Sequence, residues 1–161
     1  MGNADDLRIR LIRNVDAVPL ERQQRDPLYD TICARVSTGT AALKLGAGYD
    51  VLAPGKLSCP YHYHHAQEEL FVILEGHGTL RVAGELLPVT AGDLVFIPPG
   101  PDYPHQFINT SDAPMRYLSI STQERPEIAV YPDSGKVQAY DQGVRLMQRP
   151  GTNLDYWDGE P

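Results

Sequence analysis

Cysteine is scarce in this chain: there are two in 161 residues, Cys33 and Cys59. Two cysteines make no disulfide framework, and a reduced pair in a reducing compartment is the expected state. Basic runs are missing too. No Lys/Arg run exceeds two residues and the formal net charge is −7, which argues against a nucleic-acid partner. Apolar runs are short, and none approaches the roughly 18 residues a membrane span needs. The opening stretch, MGNADDLRIRLIRNVD, interleaves charge with apolar residues and has no uninterrupted apolar core of a signal peptide, so the cytoplasm is the expected location. No long segment repeats its apolar residues every 3.6 positions, so helix should be rare. Histidine is scarce as well, with five in the chain, yet three of them fall in the twelve residues CPYHYHHAQEEL, 59–70.

Glycine and proline are plentiful, fourteen of each, and favour short strands joined by tight turns over a helix bundle. From Tyr29 onward strand-like runs alternate with turn signals roughly every 8–12 residues, as in an all-β sandwich or barrel. The runs include TICARV, AALKLGAGYDVLA, ELFVILEG, HGTLRVAGELLPV, TAGDLVFIPPGPD, HQFIN and MRYLSIS. VAGE (82–85) is a hairpin candidate, and NTSDAP (109–114) is a second tight connection. Three parts are expected: an N-terminal arm at 1–29, a β-barrel at 30–122, and a C-terminal extension at 123–161 packing on the barrel. In the arm, RIRLIRNV reads as a possible edge strand and ERQQRDP as loop. Tyr156 and Trp157 read as a hydrophobic clasp.

On a strand, residues i and i+2 share a face. YHYH therefore turns His62 and His64 one way and Tyr61, Tyr63 and His65 the other. Two imidazoles about 6–7 Å apart on one face can converge on a cation. Glu68 and Glu69 each offer a carboxylate to complete three corners. Imidazole with carboxylate suits iron, manganese, nickel, cobalt, zinc or copper. A second segment, AGDLVFIPPGPDYPHQFIN, holds a strand, a Pro-Pro-Gly turn, then His105 with Asn109 four residues on. His77, in the EGHG turn, lies apart. Phe71, Ile73 and Phe107 share parity with Glu69 or His105 and read as core. Tyr103 shares that parity only if its strand extends past Pro104. Lys44, Tyr49 and Arg81 are candidates for contact with an anionic ligand, with solvated surface as the simpler role.

These residues resemble the two signature motifs of the cupin superfamily. The first runs from Gly55 through His62-Tyr63-His64 to Glu69 and Gly76, with one residue more than usual between Gly55 and His62. The spacing to Gly76 selects Glu69 over Glu68. The second uses Gly92, Pro98, Gly100, His105 and Asn109, with four residues in place of two between Gly100 and His105. The resemblance implies a double-stranded β-helix, the cupin jelly-roll barrel. It also implies one divalent transition metal (iron, manganese, zinc, nickel or cobalt) held by His62, His64, Glu69 and His105. Within the superfamily the chain looks most like small single-domain bacterial cupins, which share its YPDSGK and DYWDGE segments and are often assigned only provisionally as sugar-phosphate isomerases.

Three functions follow as expectations. The first is an isomerase acting on a small-molecule substrate such as a sugar phosphate, with a metal stabilising an ene-diolate and Glu68, Tyr49 or Lys44 as candidate bases. The second is an Fe(II)-dependent oxygenase of a small organic molecule. The third is a binding module for a small molecule or metal, without turnover. A homodimer is expected, with the arm or an edge strand crossing to the partner, and neither nucleic acid nor membrane is expected as a partner.

Overall fold

A computed structural model describes residues 3–151 and 153–160. Among these residues there is one short helix, α1 (Ala4–Leu11), and thirteen strands. The strands are β1 (Glu21–Arg25), β2 (Tyr29–Arg35), β3 (Leu45–Leu52), β4 (Tyr63–His64), β5 (Glu69–Glu75), β6 (His77–Val82) and β7 (Glu85–Thr90), then β8 (Leu94–Ile97), β9 (His105–Ile108), β10 (Met115–Thr122), β11 (Glu127–Tyr131), β12 (Lys136–Asp141) and β13 (Val144–Gln148). All of the strand pairings are antiparallel. A six-stranded sheet runs β1-β2-β3-β10-β5-β8, and β7-β6-β9 and β13-β12-β11-β4 form two smaller sheets. This is the jelly-roll barrel expected from the turn spacing and the two motifs. No described helix is long and apolar enough to cross a membrane.

The expected hairpin at VAGE joins β6 to β7. Ala83 and Gly84 both take positive φ, 50° and 84°, the pair of left-handed residues a type I′ turn requires. Gly76 separates β5 from β6 at φ 82°. A Cβ there would also lie 2.8 Å from the Pro114 carbonyl oxygen, so both backbone angle and space demand glycine.

Strand register grades the inside of the barrel from apolar to polar. On β10 the inward residues are Met115, Tyr117, Ser119 and Ser121. Opposite them stand Leu52, Asp50, Gly48 and Gly46 on β3, and Ile73, Phe71 and Glu69 beside the last three on β5. The apolar end is sealed by Leu52, Ile73, Phe107 and Met115, none more than 1% exposed, joined by Phe71, Leu80, Val89, Ile97 and Tyr117. Each such side chain is worth roughly 1.5–3 kcal/mol when fully buried. The other end carries hydroxyls, glycines and carboxylates, and there the barrel stays open.

Two readings of the arm need correction. RIRLIRNV does not supply an edge strand: its first residues belong to α1. Asn3 caps that helix by accepting from the Asp6 N–H at 2.9 Å, and Asp5 and Asp6 in the first turn with Arg8 and Arg10 in the last complement the helix dipole. ERQQR is not loop but β1, paired along its length with β2. Arg22 from β1 donates to both carboxylate oxygens of Asp30 at 2.8 and 2.6 Å, and the strand's polar side chains suit an exposed edge. The clasp reading also fails: Tyr156 and Trp157 pack edge-on against each other, ring centroids 4.8 Å apart, and remain 85% and 70% exposed. β11 is bonded directly to β4, pairing Ala129 with His64 and Val130 with Tyr63, so the C-terminal extension shares a sheet with the histidine segment.

Candidate metal centre

The histidine segment is held by reciprocal backbone bonds. The His62 N–H donates to the His105 carbonyl at 3.2 Å and the His105 N–H to the His62 carbonyl at 2.8 Å. Directly opposite residues in such a pair present their side chains on one face, and the two rings sit 4.7 Å apart between centroids. His64 follows two residues on, its ring 4.9 Å from that of His62. The Gly100 N–H donates to the His64 carbonyl at 2.7 Å, so the Pro-Pro-Gly turn of the second motif clamps the first. Glu69 enters from the start of β5. Its Oε2 lies 2.9 Å from His105 Nε2 and 3.6 Å from His64 Nε2.

His62, Glu69 and His105 each offer a donor atom within 4.8 Å of the other two. Donors on one ion with bonds of about 2.1 Å stand at most about 4.2 Å apart, so a slight closure brings all three onto one cation. His64 joins the group through the oxygen it shares with His105. In His62 and His105 the other ring nitrogen is already engaged. His62 Nδ1 lies 2.9 Å from the Pro60 carbonyl and His105 Nδ1 3.2 Å from the Tyr103 carbonyl. His64 Nδ1 lies 3.4 Å from Glu127 Oε1, a close approach without a hydrogen bond. For His62 and His105 the carbonyl oxygens on the Nδ1 side fix the tautomer that leaves Nε2 with a free lone pair, the arrangement found around metal-bound histidine. Glu69 Oε2 and His105 Nε2, although close, are buried atoms without a well-directed hydrogen bond. Buried polar atoms left this way are costly, and a shared cation satisfies both.

Electrostatics favours the ligand forms. Burial lowers the His64 pKa below the ordinary value, outweighing the pull of Glu69 and Glu127, and so keeps the ring neutral. For Glu69, burial works to raise the pKa, but the neighbouring His105, His64 and His62 outweigh it and hold the carboxyl below its ordinary value. Burial pushes the Cys59 thiol up to about 12, which makes it inert although its sulfur lies 3.8 Å from His62 Nδ1. Both cysteines are free, as expected from their number.

Of the residues singled out in the sequence, His62, His64, Glu69 and His105 are brought together. Glu68, His65 and His77 are exposed, and Glu68 turns away with its backbone N–H bonded to Thr122 Oγ1 at 2.9 Å. Asn109 is fully buried, but structurally: its amide donates to the Leu52 and Ala113 carbonyls at 2.9 and 2.8 Å. Tyr49 is neither solvated nor aimed at the site. It lies buried beside Asp50 on β3 and so on the outer face, where its hydroxyl accepts from Arg116 at 3.0 Å. Arg81 is paired with Asp133 at 2.6 and 2.9 Å. Lys44 is exposed.

Three residues escaped sequence reasoning. Glu127 is 0% exposed and accepts from the backbone N–H groups of His65, Ala66 and Gln67 at 2.9, 3.1 and 2.8 Å, while its Oε1 faces His64. It therefore shapes the turn after the His-x-His pair. Asp50 and Arg35 line a cavity of about 440 Å³ that runs from His62, Glu69 and His105 across the inner faces of β10, β3 and β2. Asp50 had one available signal, its alternation with Leu52 along β3, which places it inside. Nothing local marks Glu127 or Arg35, because both matter only through long-range pairing.

A jelly-roll barrel with a largely buried His/Glu cluster at its open end is an architecture that could hold a metal ion. Residues 48–121 match the Cupin domain family. An uncharacterized protein of Methanocaldococcus jannaschii is 37% identical over 60 residues, which are 37% of this chain and 46% of that protein. The chain thus matches under half the length of that relative. Among solved structures, a sugar phosphate isomerase from a cupin superfamily, from Silicibacter pomeroyi, superposes with a TM-score of 0.77 at 25% identity, over 89% of this chain and 96% of that one. A proposed sugar phosphate isomerase from Acidithiobacillus ferrooxidans also gives a TM-score of 0.77, at 22% identity, over 86% of this chain and 92% of that one.

Proposed function

We propose that the protein is a metal-dependent isomerase of a small phosphorylated or acidic sugar, with one divalent transition metal bound by His62, His64, Glu69 and His105. The observation that carries this reading is the convergence of donors: His64 and His105 bring Nε2 to Glu69 Oε2, and His62, Glu69 and His105 each offer a donor atom within 4.8 Å of the other two. Three neutral donors and one carboxylate suit iron, manganese, zinc, nickel or cobalt. When bound, such an ion polarises adjacent carbonyl and hydroxyl oxygens and stabilises the charge of an ene-diolate.

The chain's own groups do the rest. Glu127 holds the turn that follows His64. Glu69 stays ionised among the imidazoles. Phe71, beside Glu69 on the cavity wall, restricts water there. The likeness to the Silicibacter pomeroyi structure supports the substrate class. The assembly that goes with this reading is a homodimer, supported by the exposed apolar side chains Leu7, Ile9 and Leu11 on α1; light scattering showing a monomer at tens of micromolar, an order-of-magnitude condition for a stable interface, argues against it.

The test of function is to strip the metal, reload the protein with each candidate ion and assay interconversion of aldose and ketose phosphates with and without oxygen. Isomerisation supported by redox-inert zinc and indifferent to oxygen upholds the proposal. Turnover that requires iron and consumes oxygen replaces it with an oxygenase.

A further inference from the structure

The candidate metal centre occupies one corner of the cavity, and the wall beyond it carries a different chemistry. Arg35 on β2 stands opposite Gly48 on β3, Gly48 opposite Ser119 on β10, and Ser119 opposite Phe71 on β5. Arg35, Gly48, Ser119 and Phe71 therefore form one inward row, with Glu69 two residues further along β5. We propose that this wall binds a polyhydroxylated anion, with its anionic group on Arg35 and its hydroxyls at Asp50, Ser119 and Ser121, and its far end at the His/Glu corner. The inference deepens the isomerase reading and rests on it only for what happens at that far end.

Among the described residues, Arg35 is the one Lys or Arg side chain that lines the cavity. The ion pairs of the described residues engage Arg10, Arg22, Arg81 and Arg116 and leave Arg35 without a carboxylate partner. An arginine facing a cavity in this state is ready to take a phosphate or carboxylate in bidentate fashion. Asp50 is the complementary group. It is a carboxyl inside the barrel, and among the described residues no cation forms an ion pair with it; its Oδ2 accepts a single bond from Ser119 Oγ at 2.9 Å. Burial pushes its pKa up to about 6, against the smaller lowering effects of Ser119 and Arg35. Acceptors of this kind suit the hydroxyls of a polyol, which donate without bringing charge.

The glycines of β3 make room for these groups. A Cβ on Gly48 would lie 2.5 Å from Ser119 Oγ and 3.5 Å from Asp50 Oδ2, and one on Gly46 would lie 2.5 Å from Gln123 Nε2 and 3.2 Å from Ser121 Oγ. The LGAGYD stretch is thus bare where the polar side chains of the wall lie. From Arg35 to Glu69 is three strand spacings, about 14 Å, and two residues along the strand, about 7 Å, measured between backbones on a flat sheet. Barrel curvature and the length of both side chains reduce that to the span of a small linear molecule, and a cavity of about 440 Å³ falls within the range of small-molecule sites.

The experiment is calorimetric titration of the metal-loaded protein with ribose, ribose 5-phosphate, ribonate and inorganic phosphate. At least one of the two anionic pentoses should bind tenfold or more tighter than ribose. A preference for ribose 5-phosphate identifies the anion as a phosphate ester, and a preference for ribonate identifies a sugar acid. Arg35→Met should abolish the preference while leaving ribose affinity and metal content unchanged. Asp50→Asn should weaken ribose and its anions together, and leave inorganic phosphate unaffected. Equal binding of ribose and both anions by the wild type, no binding of any of them, or an intact preference in Arg35→Met overturns the proposal. The metal assignment fails separately, if His64→Ala keeps its metal.

Discussion

Replacing Asp50 with Asn should make the protein more stable and less able to bind its ligand. The Asp50 carboxyl is raised by burial from an ordinary 3.8 to about 6. At 1.36 kcal/mol per pH unit, that difference comes to about 3 kcal/mol. Because the folded form holds its proton more tightly than the unfolded chain, the group costs nothing below about pH 4. Stability is lost as pH rises from about 4 through about 6, and the full cost applies above that. Asn keeps the shape and an acceptor for the Ser119 hydroxyl but carries no charge, so it removes the cost. The assay is urea unfolding of wild type and variant, both with chelator to keep metal linkage out, at pH 8 and pH 4. The variant should gain about 3 kcal/mol at pH 8, equivalent to about 6–12 °C in Tm for a chain of this size, and close to nothing at pH 4. An Asp50→Asn protein that is no more stable at pH 8, or equally changed at both pH values, refutes the reasoning that Asp50 is a buried charge held for binding.

Glu127→Ala leaves three backbone N–H groups in the turn at 65–67 without their acceptor; at about 1–3 kcal/mol for each buried unsatisfied group, thermal unfolding should show a loss of several kcal/mol, and elemental analysis should show less metal as the backbone next to His64 loses its anchor. Metal occupancy, followed by equilibrium dialysis, should be retained at neutral pH and fall only on acidification below the ordinary imidazole range, because burial keeps His64 neutral further down than an exposed imidazole. Gly76→Ala combines a left-handed backbone with a Cβ pressed 2.8 Å from the Pro114 carbonyl; a cost of at least about 1–2 kcal/mol from the backbone alone should appear in urea unfolding, and an unchanged midpoint removes that explanation of the motif glycine.

Much of the barrel can be read from the sequence because its strands alternate and its turns are chemically explicit: VAGE becomes a type I′ hairpin, and LVFI and HQFI become the strands flanking the Pro-Pro-Gly turn. The parity of His62 and His64 is legible for the same reason, since side-chain direction on a strand is a local property, while the choice of Glu69 over Glu68 comes from the motif spacing to Gly76. What escapes is set by partners distant in the chain. β1 is polar on both faces, so its strand character comes only from hydrogen bonding to β2. α1 is fixed by Asn3 and the placing of its acids and bases, which a search for apolar periodicity passes over. Glu127 lies 62 residues from the His65 N–H it accepts from, and Arg35 meets the site only across the register of four strands. Motif spacing therefore reveals the metal corner, while the wall that faces it becomes visible only when the sheet is assembled.

The central claim is that His62, His64, Glu69 and His105 hold a metal, and elemental analysis of purified wild type, His64→Ala, His105→Ala and His77→Ala tests it most directly. His77 serves as the control because it is exposed at the start of β6, away from the cluster. About one divalent transition-metal ion per chain is expected in the wild type and in His77→Ala, with a near-complete loss in His64→Ala and His105→Ala while circular dichroism keeps the β signature of the barrel. Equal metal content in all four proteins would contradict the account.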